Sequence, residues 1–241
     1  MSSRQSSPTQ SSAAQVVRRR VERGGARFWR HSDFEGLPPS AVATALSRLA
    51  QDGALQRVAK GVYYRSAPTS FGPSIAGASA VAAQTLRAPV HPAGLSAANL
   101  LGLSTQNPMR TEYATPASGR PTALDAAVVH TRRSAQRAAL PAEDGAILET
   151  LRDRARYSDL SAKDTVARLL RLLAQDDRFE RLARSALSEP PRVRAMLGAL
   201  GQELGMPDRI LKKLRASLNP LSRYDFGALR ALRHARDWQA K

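Results

Sequence analysis

The sequence predicts an α+β fold, and three observations lead to that class. Within residues 13–68 a helical pattern, a short turn, a second helical pattern and two short strands follow one another. A middle stretch, residues 69–160, then mixes short helices with alternating strand-like runs, and residues 161–241 alternate helix with helix breaker. The charge divides in the same way: 11 basic residues against 4 acidic in residues 1–68, 9 against 7 in 69–160, and 17 against 9 in 161–241, within a net +17.

Residues 1–12, MSSRQSSPTQSS, are too polar to build a core and read as a disordered tail. Ala13 to Glu22 is helical in pattern, with Val16, Val17 and Val21 inward and Arg18, Arg19, Arg20 and Arg23 outward; Gly24 and Gly25 stop it. After the aromatic pair Phe28-Trp29, Ser32 is expected to cap one short turn around Asp33 and Phe34. In LPPSAVATALSRLAQDG a proline suits the first helical turn, where its missing N–H would have had no partner. Val42, Ala45, Leu46 and Leu49 share one face of this helix, Pro39 to Asp52, and Gly53 ends it. Its other face carries Ser40, Ala43, Thr44, Ser47, Arg48 and Gln51: small, hydrogen-bonding or cationic, with no acid. ALQRVAKGVYYR reads as two strands around a Lys60-Gly61 turn, where glycine supplies a positive φ.

Helix, turn, helix and basic hairpin in this order spell a winged helix-turn-helix over residues 13–68. A helix that enters a major groove ~12 Å wide needs small side chains and donors on its outer face. The expected DNA-binding residues are therefore Ser40, Thr44, Ser47 and Arg48 on the helix, with Arg57, Lys60 and Arg65 of the hairpin against phosphates.

The middle region, residues 69–160, opens with an Ala-rich helix, Ser74 to Leu86. Ser96 should cap the short helix AANLLGL, closed by Gly102. RTEYAT alternates like a strand, SGRP is a turn, AAVVHTR is another strand, and EDGAILETLRDRA is helical. In the helical C-terminal region, Ser161 with Asp164 resembles a capping box. Pro190-Pro191, Gly205-Met206-Pro207 and Asn219-Pro220 mark boundaries, and a last helix is expected near Phe226 to Trp238. The segment HPAGLSAANLLGLSTQNP gathers Ser96, Asn99, Ser104, Thr105, Gln106 and Asn107, either to grip a partner or small ligand or to serve as ordinary caps.

An excess of +17 favours polyanionic partners, nucleic acid before anionic membrane. No apolar run approaches the ~20 residues of a membrane span, and the N-terminus lacks a signal-like apolar stretch, so a cytoplasmic protein is expected. The absence of cysteine excludes disulfides, thiolate metal sites and cysteine nucleophiles. The acidic pairs Glu143-Asp144 and Asp176-Asp177 are adjacent and would point about 100° apart on a helix. His31, His91, His130 and His234 are isolated, and no phosphate-binding or nucleophile-elbow motif occurs. No catalytic residue, metal or cofactor is expected.

The run from FWRHSDFEGLPPSAVATALSRLAQDGALQRVAKGVYYR through HPAGLSAANLLGLSTQNP to RTEYATPASGRP resembles the AbiEi antitoxins, over about Val17 to Thr131. Gly102 to Gln106 carries the most specific part of the likeness. The resemblance implies a type IV toxin–antitoxin system, in which such an antitoxin represses its own operon through the winged domain. It also implies a nucleotidyltransferase-like toxin as functional antagonist, counteracted without a stable complex. Carried over by element, the DNA contacts fall on Ser40, Thr44, Ser47, Arg48, Arg57 and Lys60. The alternative is a stand-alone winged-helix regulator whose middle domain senses a ligand.

Overall fold

The computed structural model of the chain describes residues 12–70, 72–118 and 127–241. The expected tail, apart from Ser12, and the SGRP turn, apart from Ser118, lie outside the described residues. The fold is α+β and divides into two compact units, Met1–Thr85 and Leu86–Lys241.

In the first unit α1 (Ala13–Arg23) starts on a reciprocal cap: Gln15 N donates to Ser12 Oγ at 3.3 Å and Ser12 N to Gln15 Oε1 at 3.0 Å. The aromatic pair forms strand β1 (Phe28–Trp29), and a 3-10 turn follows at His31–Asp33. Ser32 does not cap that turn. Asp33 does, accepting the Arg30 N–H at 2.8 Å, because its carboxylate reaches back over the three-residue turn. Next come α2 (Pro39–Gln51) and the strands β2 (Gln56–Ala59) and β3 (Val62–Tyr64). The sheet order is β1-β3-β2, antiparallel throughout, with Trp29 opposite Tyr63.

The expected apolar faces close on one another in a single core. Val17 and Val21 of α1 meet Val42, Leu46 and Leu49 of α2 over Trp29, Phe34 and Leu55. Trp29 stacks on Phe34 with ring centres 5.5 Å apart. Gly24 does more than stop α1, since a Cβ there would come within 2.2 Å of the Trp29 ring. A small hairpin, β4 (Pro68–Thr69) and β5 (Gly72–Pro73), precedes the stretch expected to be helical from Ser74. Ser74 accepts the Ala67 N–H at 2.8 Å, which holds it in the turn, and α3 starts only at Ala78, running to Leu86.

In the second unit β6 (His91–Pro92), β7 (Thr111–Ala114) and β8 (Ala127–His130) form a sheet in that order, with β7 and β8 parallel. The short helix α4 (Gly94–Leu100) starts two residues before Ser96, whose hydroxyl instead accepts the Glu112 N–H at 3.0 Å and ties α4 to β7. Gly102 closes α4 as expected, with Leu103 N donating back to Ala98 O at 2.8 Å. The helices α5 (Ala142–Arg152), α6 (Ala162–Leu173), α7 (Arg178–Ala186), α8 (Pro191–Glu203) and α9 (Asp208–Ala216) follow. The last segment forms two 3-10 turns, Gly227–Ala231 and Arg236–Trp238, rather than one helix.

Every residue of α5 from Asp144 to Leu151 is buried, so this helix is the axis of the unit. One continuous core runs from Ala97 and Leu101 through Ile147, Leu169 and Leu197 to Trp238. The middle and C-terminal regions, separate in the sequence reading, therefore share a single core.

That core also holds charge. Arg137, wholly buried, donates from Nε and Nη2 to Glu189 at 2.6 and 2.8 Å and from Nη1 to Glu149. Arg133 clasps Glu149 at 2.8 and 2.9 Å, and Arg152 reaches Glu189 at 2.7 Å. Buried Asp144 lies 3.1 Å from Arg178 and 2.7 Å from Arg181. Bidentate arginine–carboxylate pairing makes such burial tolerable.

Candidate nucleic-acid interface

Helix α2 buries Val42, Ala45, Leu46 and Leu49, so its opposite side is left to solvent. Ser40, Thr44 and Arg48, spaced by four, are exposed along one stripe, and Ser47 is half-buried beside it. Together with Ala14 and Ala41, the stripe lines a shallow open groove between α1 and α2. The Thr44 hydroxyl donates to the Ser40 carbonyl at 3.0 Å, leaving its oxygen lone pairs and methyl group toward solvent. Arg48 makes no hydrogen bond or ion pair among the described residues. Asp52, its acidic neighbour one turn on, is bound by Arg18 of α1 at 3.2 Å. An intrahelical Arg48–Asp52 pair therefore does not form, and the Arg48 guanidinium stays available.

The expected hairpin forms as β2 and β3, with Gly61 at φ 70° in the turn and a register irregularity between Arg57 and Ala59. Arg57 and Lys60 are exposed on it. Arg65 departs from expectation. Its Nη1 donates to the Val21 carbonyl at 2.6 Å, which also accepts the Gly24 N–H at 3.2 Å, and to the Glu22 carbonyl at the end of α1. Its role is to fasten β3 to α1, and sequence spacing could not show this because the contact spans 44 positions.

The polar segment after α4 closes on Asp159, which lies more than fifty positions further along the chain. Asp159 accepts from Ser104 Oγ at 2.5 Å, from Thr105 N at 3.4 Å and from the Gln106 amide, while Asn99 Nδ2 donates to the Gln106 carbonyl at 2.7 Å. The hydrogen bond from Ser104 holds the Asp159 carboxyl below the usual carboxylate range. These hydrogen bonds clamp the loop internally. His130 lies 3.0 Å from Glu112, and His234 lies 2.9 Å from Asp237 and 3.1 Å from Gln202. Among the described residues no three His, Asp or Glu side chains gather as metal ligands.

A family model matches residues 19–148, from the middle of α1 to α5, more than half of the chain. The chain belongs to the family of unknown function DUF6088. The DUF6088 match takes in the first unit from Arg19 onward and the first part of the second unit, and ends short of α6 to α9. Among curated proteins none matches significantly. A solved structure similar to this DUF6088 chain is that of the RV2827C protein from Mycobacterium tuberculosis, with a TM-score of 0.52 and 20% identity over 88% of this chain and 83% of that one. The likeness is one of fold. No helix among the described residues is long and apolar enough to cross a membrane.

Proposed function

We propose that this DUF6088 protein is a double-stranded DNA-binding regulator that seats α2 in the major groove and the β2–β3 hairpin along the backbone. The observation that carries this reading is the outer face of α2, where an unpaired Arg48 stands in line with Ser40 and Thr44, and the one acid that continues the line, Asp52, is neutralised by Arg18 of α1. An exposed guanidinium on a face of small residues suits bidentate contact with guanine O6 and N7. Arg57 and Lys60 add phosphate contacts from the hairpin. Read with the likeness of its residues to AbiEi antitoxins, the protein represses its own operon and counteracts a nucleotidyltransferase-like toxin without forming a stable complex.

The test is binding to its own promoter and to a scrambled duplex at two salt concentrations. Arg48→Ala should cost about 1–3 kcal/mol on the promoter and relax sequence preference. Lys60→Ala should weaken both duplexes alike and reduce the slope of log K against log salt by about one. Equal losses on both duplexes for Arg48→Ala would remove α2 as the reading helix, and a flat salt response would remove DNA as the partner.

A further inference from the structure

The first unit carries a second cationic surface that the α2 reading leaves unused. Arg19, Arg20, Arg23 and Arg27 surround one groove floored by Gly24 and the edge of Trp29, and no acidic side chain lines it. Arg27 lies over the Trp29 ring at 4.1 Å, with Asp33 3.7 Å from its guanidinium, and Arg20 lies over Phe34 at 5.6 Å. Two of the four guanidiniums are therefore held by ring contacts, one of them also by an ion pair, before any ligand arrives. Arg19 and Arg23 are exposed and have no hydrogen bond or ion pair among the described residues. Arginines in a last helical turn often serve the helix end, but here Arg65 and the Gly24 N–H already reach the Arg20, Val21 and Glu22 carbonyls. Trp29 is itself covered, so the groove offers charge and hydrogen-bond donors with no ring open for base stacking.

Ala14 and Arg18 face α2, the one lining its groove and the other bound to Asp52. At 100° per residue, Arg19 and Arg23 lie about 140° around α1 from that pair. A straight duplex seated on α2 cannot also reach the far flank of a helix ~10 Å across.

We propose that the α1 flank is a second phosphate-backbone site, through which one chain holds a second nucleic-acid duplex without reading its sequence. The proposal rests on the reading of the first unit as a DNA-binding domain.

The experiment titrates the full chain with promoter and random duplexes of about 12 base pairs, roughly 40 Å long at 3.4 Å per step and too short to wrap. It reads stoichiometry and energy transfer between separately labelled duplexes. The unmodified protein should take two duplexes per chain. Arg19→Gln with Arg23→Gln should leave one duplex, bound with promoter preference intact. Arg48→Ala should still take two duplexes, with promoter preference relaxed. One duplex per chain in the unmodified protein, or two in the Arg19→Gln, Arg23→Gln variant, overturns the proposal. If promoter preference still falls in Arg48→Ala, the α2 reading survives that failure; if neither variant changes anything, both readings fall.

Discussion

Arg137 and its partners are where single residues weigh most. A wholly buried guanidinium is tolerable only while two carboxylates face it, and Glu189 supplies the two-pronged contact. Glu189→Ala should cost about 3–5 kcal/mol, because it strands a charge without removing it. Thermal or urea unfolding of the full chain measures this, and a loss below about 1 kcal/mol would mean that water or Glu149 replaces the lost partner. The same cluster sets a pH response. Burial lowers the His91 pKa from its ordinary 6.5, opposed by the hydrogen bond from Nε2 to the Arg137 carbonyl at 3.0 Å. Burial pushes the Glu149 carboxyl up, but the Arg133 hydrogen bonds and the charges of Arg137 and Arg133 outweigh it and hold the group below its ordinary 4.5. In both cases the unfolded chain takes up a proton before the folded one does, so stability falls with falling pH. The decline should begin below pH 6.5 from His91 and steepen below 4.5 from Glu149. Melting midpoints across this range check it; His91→Gln should remove the upper part of the decline and leave the lower.

At the scale of elements, caps and turn residues decide where helices begin. Ser161 opens α6 by accepting the Asp164 N–H at 3.1 Å, and its own hydroxyl donates to the Asp164 carboxylate at 2.6 Å. This is a one-sided version of the expected capping box. Ser161→Ala should destabilise the protein by about 1 kcal/mol. Ser161→Asp should recover most of that loss, since the carboxylate can accept the same N–H. Failure of the aspartate to rescue would show that the hydroxyl donation matters more than the cap. The apolar face of α6 lies in the common core through Val166, Leu169, Leu172 and Leu173, so a frayed α6 would register in global unfolding.

At the scale of the whole molecule, the first unit has its own core of buried residues, from Val17 to Tyr63, and its own sheet. A fragment of residues 1–85 should therefore fold and bind promoter DNA with about the salt slope of the full chain, because every proposed phosphate contact lies within it. It should not neutralise the toxin, since the Gly102–Gln106 segment lies outside it. Full rescue by the fragment in cells expressing the neighbouring toxin would show that DNA binding alone suffices.

The sequence by itself determined the winged unit almost element by element. Its signals are local: a valine pair on α1, apolar spacing on α2, proline at the helix start and glycine at the hairpin bend all act within a few residues. It also showed the exposed stripe of Ser40, Thr44 and Arg48, since one helix face follows from the other by periodicity. Only the tertiary structure decided what Arg65, Ser96, Asp159 and Arg137 do, because their partners lie between 12 and 55 positions away. Polar and charged side chains carry no periodicity that marks them as buried. Arg137 and Glu189 look like any surface pair until the helices that enclose them are packed. The same reason merges the two C-terminal regions: a charge boundary at residue 161 is visible in the sequence, whereas the shared core around α5 exists only when both sides close on it.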